Sequence, residues 1–383
     1  MTIKLYDQDS HCRSFSATVL SCTPGGPERW HLVLDQTAFF PEGGGQPADQ
    51  GTLNQEVHVL DVREKGEEIV HITDAPLSPG TAVQGELDWA LRFGRMQCHS
   101  GEHVISGLAH SLYGCTNVGF HMGEDAVILD FDKELTPDQI AHIEDLANQV
   151  ITENRPVTAA YPAPEVLADL DYRSKLDLTE NVRIVTIDGC DVCACCAPHV
   201  KQTGEIGLVK IVNTMRHRGG IRLWMVAGRL ALEDYRTKQE NIAAISAALS
   251  VQQPQAAQGV ARMKAELEQV TFALNQARQA LMAEKAKALP QTEGNLCLFE
   301  DDLDAASLRT LANAGMEVCG GICAVFTGSD QAGYRYVMGS QTVDLRAKAK
   351  EINQALGGKG GGQPTMIQGS VTASRAAILA YFQ

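Results

Sequence analysis

The alternation of apolar and polar residues divides the chain into a β-rich start, a mixed centre, a long helical stretch and a mixed end. Residues 1–90 contain short alternating segments, for example 30–34 and 56–60, and turns rich in Pro and Gly separate them. Many short strands at this spacing are typical of a small barrel or sandwich. We therefore expect a small β-barrel over residues 1–90.

In the centre, residues 91–229, the pattern changes from a period of two to a helical period. Apolar residues recur every four positions from Val104 to Leu112, and Thr136 before Pro137 is a good helix cap. These signals predict a helix from about residue 96 and another over 136–151. Strands are predicted at 182–187, 207–212 and 221–226. Because no strict βαβ rhythm appears, we predict an α+β domain with an antiparallel sheet.

Residues 230–290 are predicted to be helical. An earlier helix carries Ile242, Ile245 and Leu249, and Pro254 ends it. Apolar residues then alternate steps of three and four, as in a heptad seam: Val260, Met263, Leu267, Val270, Leu274, Ala277 and Leu281. The pattern fits a helical hairpin, a dimerising coiled coil, or an amphipathic helix on a globular core.

The last part, residues 291–383, alternates strands and helices and is predicted to be an α/β domain. Strands are expected at 296–299, 322–327 and 334–338, and helices at 304–314, 343–356 and 373–382. Residues 357–366 contain five glycines and Lys359. Such a segment either holds a phosphate at the start of the last helix or is a flexible linker.

Charge argues against a generally basic nucleic-acid-binding protein, because the net charge is −15 over 383 residues. Two stretches nevertheless carry five basic residues each, 210–229 with no acidic residue and 346–375 with one. They indicate either a polyanionic partner or ordinary surface charge. No apolar run approaches the roughly 20 residues that cross a bilayer, and no signal peptide is evident, so we expect no membrane contact and a cytoplasmic location.

Two pairs of residues of the types that bind metals predict a zinc site. His99 and His103 are four residues apart, as are Cys195 and His199, so each pair can share a helical face. Together they form a complete donor set for zinc, which can activate water or polarise a carbonyl. The pattern favours ester or amide hydrolysis. It is not the metalloprotease motif, because Glu102 directly precedes the second histidine; Glu102 either assists proton transfer or is a solvated helix residue.

Other interpretations of these residues stay open. The four cysteines within residues 190–196 could bind a structural zinc by themselves or form a transient disulfide. The three consecutive glycines of residues 43–45 could let a ligand approach the backbone or could simply form a turn.

Several segments resemble the editing domain of alanyl-tRNA synthetase and its free-standing relatives, the AlaX proteins. They are His-Ser-Gly-Glu-His at 99–103, Cys-Cys-Ala-Pro-His-Val-Lys-Gln-Thr-Gly-Glu-Ile-Gly at 195–207, and Phe-Pro-Glu-Gly-Gly-Gly-Gln-Pro at 40–47. The later Gly-Gly-Gly-Gln-Pro at 360–364 is similar to the domain that follows the synthetase's coiled coil. Order and spacing match over nearly the whole chain, without an ATP-binding aminoacylation domain, which indicates a long-form AlaX.

The resemblance implies a trans-editing enzyme that hydrolyses the ester bond of mischarged tRNA(Ala). Serine is the expected wrong amino acid on this tRNA, and glycine is the alternative. The resemblance also implies zinc held by His99, His103, Cys195 and His199. We expect His99 and His103 to be catalytic residues as well as ligands, and Glu102 is the candidate catalytic residue for proton transfer. The implied substrate-binding residues are Gly43, Gly44, Gly45, Gln46 and Ser100, and the expected tRNA-binding residues are Arg216, Arg218, Arg222 and Lys359. Ser100 stands where the family usually has threonine, and Cys-Cys-Ala-Pro-His replaces its Cys-Gly-Gly-Thr-His, so two adjacent cysteines could supply the thiolate.

This interpretation divides the chain into a β-barrel (1–90), a zinc-binding editing domain (91–229), a helical hairpin or coiled coil (230–290) and a C-terminal domain for tRNA binding and homodimerisation (291–383). One alternative is a non-catalytic RNA-binding protein with a structural zinc. Another is a metal-dependent hydrolase of small aminoacyl esters.

Overall fold

The computed structural model describes residues 2–174 and 181–383 and has a mixed α+β fold, as predicted. It consists of two compact units, Met1–Ala244 and Ile245–Gln383. The boundary lies within the segment that was predicted to be a helical hairpin. Among the described residues, no helix is both long and apolar enough to cross a membrane.

The first unit begins with a closed six-stranded barrel, which confirms the barrel prediction. Its strands follow the order β2-β3-β7-β6-β5-β8 around the barrel, and inward-facing residues such as Leu32, Val62 and Ile69 fill it. The elements are β1 Ile3–Lys4, α1 Leu5–Gln8, β2 Ser14–Gly26, β3 Arg29–Leu34, β4 Gln36–Thr37, β5 Gly51–Leu53, β6 Val57–Lys65, β7 Glu68–Thr73 and β8 Ala82–Leu87. The short β1 and β4 pair in parallel beside the barrel.

A 25-residue helix, α2 Trp89–Tyr113, follows the barrel directly. Asp88 caps it by accepting a hydrogen bond from the Leu91 N–H, and Gly114 ends it in the left-handed conformation. The predicted start near residue 96 was therefore wrong, and His99 and His103 lie in the middle of the helix. The first turns were missed because Trp89–Arg95 mixes apolar and charged residues: Trp89 and Phe93 pack on the shared core, whereas Arg92 pairs with Asp49.

The remaining elements of this unit form two antiparallel sheets around α2. One sheet has the order β14-β15-β10-β9 and the other β11-β12-β13. The elements are β9 Asn117–Met122, β10 Val127–Phe131, α3 Pro137–Thr152, β11 Val157–Ala160, α4 Pro164–Asp169, β12 Ile184–Ile187, β13 Asp191–Ala194, a 3-10 turn Thr203–Ile206, β14 Val209–His217, β15 Gly220–Ala227 and α5 Gly228–Leu249. Apolar residues of α2, α3 and the larger sheet share one core, which positions the middle of α2 between the sheets.

The second unit contains a long helix and a five-stranded sheet of order β16-β17-β18-β20-β19. Its elements are a 3-10 turn Gln253–Gln255, α6 Ala256–Lys287, β16 Leu296–Phe299, α7 Ala305–Val318, β17 Cys323–Ser329, β18 Gly333–Gly339, α8 Leu345–Ala355, β19 Gly358–Gln363, β20 Met366–Val371 and α9 Arg375–Phe382. Met282 of α6 packs with Leu308 and Leu311 of α7, but the heptad seam is exposed, as Leu267 at 66% and Val270 at 65% illustrate.

The glycine-rich segment 357–366 is neither a phosphate loop nor a linker, so both interpretations were wrong. Residues Gly358–Gln363 form edge strand β19, which pairs with β20 in an antiparallel hairpin. The last helix starts only at Arg375. Glycines carry no side-chain alternation, so the strand left no signal in the hydrophobic pattern.

Candidate metal centre

The two histidines of α2 face the same side of the helix and are almost fully buried. His99 and His103 are each 2% exposed, and their rings lie 5.4 Å apart. The four-residue spacing puts both imidazoles on the same face of the helix, which lies opposite β13 and the segment after it. His199 comes from that segment and is 3% exposed.

Each histidine uses its Nδ1 atom for a partner outside the cluster. The three pairs are His99 with Gln46 Oε1 at 2.9 Å, His103 with Asp191 Oδ2 at 2.9 Å, and His199 with Ser100 Oγ at 3.0 Å. A hydrogen bond at Nδ1 fixes the ring orientation and leaves Nε2 to face inward, which is the arrangement that second-shell partners give metal-binding histidines.

Cys195 supplies the sulfur at the centre of the three rings. Its Sγ lies 3.6 Å from His99 Nε2 and 3.4 Å from His199 Nε2. Arg183 holds the cysteine's backbone, because its Nη1 donates to Cys195 O at 3.0 Å and to Ala197 O at 2.9 Å. The segment that carries Cys195 is therefore fastened to Arg183, the residue just before strand β12.

The charges in the cluster favour a thiolate beside imidazoles. Burial alone would raise the pKa of Cys195, but His99 and His199, with hydrogen bonds from His103 and His199, outweigh it and hold that pKa well below its usual value. Burial and the neighbouring His103 lower the pKa of His199 to about 3, so its ring is neutral at pH 7. Burial likewise opposes the charge on His103, but its hydrogen bonds to Asp191 and Cys195 outweigh burial and raise its pKa.

This donor set fits a metal ion. Donor atoms of His99, His103, Cys195 and His199 all lie within 4.8 Å of one another. Bond lengths of 2.0–2.3 Å in a tetrahedral zinc site require ligand atoms roughly 3.3–3.8 Å apart, so only small movements would complete the coordination. Thiolate with neutral imidazole is a donor set that zinc accepts.

The adjacent cysteine faces elsewhere. Cys196 Sγ lies against the glycine segment, 3.5 Å from the position that a Cβ on Gly44 would occupy. Desolvation and the neighbouring Cys195 raise the pKa of Cys196 to about 11, so it stays a thiol. Cys190 points to the Val104 carbonyl instead. Among the described residues, then, the four cysteines do not converge, which argues against the cysteine-only zinc site.

A cavity of about 690 Å³ borders the cluster. His99, His103 and Cys195 line one part of it, and Gly44 and Gly45 line another. This volume lies within the usual range for small-molecule sites, roughly 300–1,000 Å³. The cluster is therefore accessible to a ligand, which catalytic metal sites need and purely structural sites do not.

Glu102 also lines this cavity and is 4% exposed, so it is not a solvated helix residue. Its Oε1 accepts hydrogen bonds from Ser106 Oγ and Asn117 Nδ2, both at 2.6 Å. The other oxygen, Oε2, lies 3.7 Å from His103 Nε2. One carboxylate oxygen is thus anchored while the other lies beside the metal cluster.

The glycine segment forms a tight turn that is also part of the cavity wall. Gly43 and Gln46 exchange two backbone hydrogen bonds of 3.0–3.1 Å, and Gly44 and Gly45 have φ of +59° and +82°. A Cβ on Gly45 would lie 2.5 Å from the Phe120 ring. The segment is therefore a turn, as one interpretation predicted, and ligand approach to its backbone stays a prediction, with Gly44 and Gly45 in the cavity wall.

Some predicted site residues lie elsewhere than expected. Ser100 Oγ accepts from Val200 N–H at 3.2 Å and contacts His199, and the residue is fully buried behind the cluster. Gln46 is likewise fully buried, behind His99. Sequence reasoning missed Asp191, although it lies within the cysteine-rich segment, and it missed Arg173, for which the sequence offers no signal.

The basic residues predicted to bind tRNA lie on two different units. Arg216, Arg218 and Arg222 belong to the β14–β15 hairpin; Arg216 is 85% exposed, and Arg222 makes a two-point ion pair with Asp130 at 2.6 and 2.8 Å. Lys359 is exposed on edge strand β19 of the second unit.

A barrel, an α+β domain built around α2, and a His/Cys cluster that opens onto a cavity define a protein with a candidate hydrolytic metal site. Comparison with known families narrows this class. Residues 182–223 match the "Threonyl and Alanyl tRNA synthetase second additional domain". Residues 17–91 match a model described as "tRNA synthetases class II (A)", and residues 293–381 match the DHHA1 domain.

Relatives match over nearly the whole chain. The Alanyl-tRNA editing protein Aarsd1 of Mus musculus is 28% identical over 96% of this chain and 94% of its own length. That of Rattus norvegicus is 29% identical over 99% and 97%. The Alanine--tRNA ligase of Ignicoccus hospitalis is 30% identical over 94% of this chain, which spans only 40% of the ligase. The chain belongs to the AlaX family of alanyl-tRNA editing proteins, which is related to the editing and C-terminal domains of alanyl-tRNA synthetase.

Proposed function

We propose that this protein is a zinc-dependent deacylase that hydrolyses the ester bond of mischarged tRNA(Ala). The observation that carries the proposal is the cluster of three histidines and Cys195, of which His99, His103 and Cys195 line a cavity that the glycine turn also lines. The names of the relatives, editing proteins and alanine–tRNA ligases, supply the substrate class.

Ser-tRNA(Ala) is the proposed main substrate and Gly-tRNA(Ala) the second. A site that hydrogen-bonds a substrate hydroxyl rejects the analogue without it far better than a site that senses one methylene. The hydroxyl of Ser100 is already engaged by His199 and Val200. Backbone groups of Gly44 and Gly45 in the cavity wall are therefore the proposed partners of the serine hydroxyl.

Zinc, when bound by His99, His103, Cys195 and His199, would polarise the ester carbonyl and lower the pKa of water, provided that a further position opens or the substrate displaces one of the four ligands. Gln46 and Asp191 keep two of the imidazoles turned inward. Glu102, whose Oε2 faces the cluster, accepts the proton of the attacking water and returns it to the ribose oxygen that leaves. Ser106 and Asn117 hold the carboxylate in place for both transfers.

Basic residues of both units are proposed to bind the tRNA. Arg216 and Arg218 are exposed on the β14–β15 hairpin, whereas the guanidinium of Arg222 is shared with Asp130. Lys359 would contact the tRNA from the second unit. The exposed apolar seam of α6 is the proposed homodimer contact, through a coiled coil.

The decisive experiment measures release of serine, glycine and alanine from purified Ser-, Gly- and Ala-tRNA(Ala), with and without a chelator. We expect rapid release of serine, slower release of glycine and little release of alanine, with chelator abolishing all three. No serine release with bound zinc would refute the proposal.

Two histidine variants separate catalysis from folding. His103→Ala removes a proposed ligand and should abolish deacylation while the circular dichroism spectrum stays native. His110→Ala is the matched control, because it changes an exposed histidine on the same helix, outside the metal cluster. If His103→Ala unfolded the domain, the structural zinc of a non-catalytic RNA-binding protein would be the better interpretation.

A further inference from the structure

Arg173 lies beside the metal cluster, although it contributes no ligand to it. Its backbone forms a parallel bridge with β13 at Cys193. Arg173 N–H donates to Val192 O at 2.8 Å, and Ala194 N–H donates to Arg173 O at 2.9 Å. Both backbone polar groups of Arg173 are therefore hydrogen-bonded to β13, the strand that carries Asp191.

Its guanidinium forms a bidentate ion pair with the carboxylate of Asp191. Arg173 Nε donates to Asp191 Oδ1 at 2.7 Å, and Nη2 donates to Oδ2 at 2.8 Å. The side chains are 15% and 2% exposed, so solvent screens the pair little. This forked geometry fixes the plane of a carboxylate, which a single-point lysine contact does not.

The same carboxylate orients His103. Asp191 Oδ2 accepts the Nδ1–H of His103 at 2.9 Å, and an ionised carboxylate can only accept. Because both oxygens already accept from Arg173, the carboxylate cannot rotate without breaking that fork. The Nδ1 atom of His103 must then carry its hydrogen, so Nε2 is the ring nitrogen left for a metal ion.

The fork also keeps Asp191 from becoming a ligand. His103, Asp191 and Cys193 form a second group whose donor atoms lie within 4.8 Å of one another. An ion in that second group would bind a carboxylate oxygen of Asp191. Both oxygens of that carboxylate already accept hydrogen bonds, Oδ1 from Arg173 and Oδ2 from Arg173 and His103.

We infer that Arg173 is a positioning residue for the metal centre, which through Asp191 presents His103 to the ion and excludes the competing donor set. The inference rests on the zinc site of the proposed function. Second-shell partners of metal-binding histidines typically contribute 10–100-fold to metal affinity. We expect loss of the fork to weaken zinc binding by about tenfold or more.

The test measures metal affinity in the full chain, by competition with a chromophoric chelator for Zn²⁺, and records the absorption spectrum of the Co²⁺-loaded protein. Arg173→Lys keeps the charge but loses the fork, and Arg173→Met removes both. The matched control is Arg222→Lys, because Arg222 makes the same two-point pair with Asp130, at 2.6 and 2.8 Å, away from the cluster.

We expect Arg173→Lys to weaken zinc binding about tenfold, Arg173→Met more, and Arg222→Lys less than twofold. The Co²⁺ spectrum of the Arg173 variants should also change, whereas a merely structural role would alter the unfolding temperature alone. If Arg173→Met does not fold, Arg173→Lys decides. Zinc affinities within twofold of wild type in both Arg173 variants would overturn this inference but not the proposed zinc site. A wild-type chain that binds neither metal would overturn the zinc site and the inference with it.

Discussion

A buried ion pair joins Arg92 of α2 to Asp49, in the segment between the glycine turn and β5, and we expect Arg92→Met to be strongly destabilising. Arg92 is fully buried; its Nε donates to Asp49 Oδ2 at 2.8 Å, and its other nitrogens donate to Ala38 O and Ser10 O at 2.5 and 3.0 Å. Asp49 Oδ2 also accepts from Phe40 N–H at 2.7 Å. Asp49 lies just after the glycine turn, so the pair ties that turn to the helix that carries His99 and His103.

The expected loss is about 4 kcal/mol. Removing one partner of a buried pair typically costs about 3–5 kcal/mol, because the other charge stays buried. The lost bonds to the two carbonyls would add about 1 kcal/mol each if water does not replace them. Such a loss is a large part of the 5–15 kcal/mol by which domains are usually stable.

Urea denaturation of the full chain, followed by circular dichroism, measures this loss. Adding Asp49→Asn to Arg92→Met should recover at least half of it, because the amide has no charge and still offers an acceptor to Phe40. Arg63→Met is the control: Arg63 pairs with Asp61 and Glu42 but is 48% exposed, so its loss should stay below about 1 kcal/mol. An Arg92→Met chain within 1 kcal/mol of wild type, or a double variant without recovery, would refute the reasoning.

Three further predictions concern the barrel, the glycine turn and the cysteines. Burial lowers the pKa of His71 to about 4; because the unfolded value is about 6.5, its stabilising contribution is complete above that pH and falls as the pH drops toward 4. Urea titrations should show that the free energy of unfolding falls by about 2 kcal/mol between pH 7 and pH 5 because of His71. The His71→Gln chain should lose less over the same range, and equal losses in the two chains would contradict the prediction. Gly45→Ala should lower the unfolding temperature markedly, since its φ is +82° and a Cβ would lie 2.5 Å from an aromatic ring. Gly43→Ala should lower it little, because no atom lies nearer than 3.6 Å to the position of its Cβ. A similar decrease in both variants would disprove the steric argument. Cys195→Ala should lose bound zinc after dialysis and Cys196→Ala should keep it, as metal analysis would reveal; the reverse result would reassign the thiolate.

Local signals predicted several elements of this fold correctly. Helix α3 begins at Pro137 after a Thr136 cap, and Gln139 completes a capping box, because capping needs only residues within one turn. The strands at 184–187, 209–217 and 220–227 also follow the predicted order. Apolar alternation identified these strands because one face of each packs on the core.

Where side chains carried no pattern, prediction failed. Strand β19 contains four glycines, so only its pairing with β20, whose Ile367 and Val371 are buried, makes it a strand. The start of α2 was likewise decided by what packs against it. In both places a long-range contact, and not local preference, determined the structure.

For the metal centre, the sequence alone determined the donor types and their pairing, because a spacing of four places two side chains on one helical face. It also carried the resemblance to the editing family. The tertiary structure decided which of two adjacent cysteines joins the histidines, that Ser100 and Gln46 lie behind the rings, and that Arg173 grips Asp191. Those contacts join residues far apart in the chain, and their geometry depends on the packing of the barrel, α2 and β13, which no local spacing encodes.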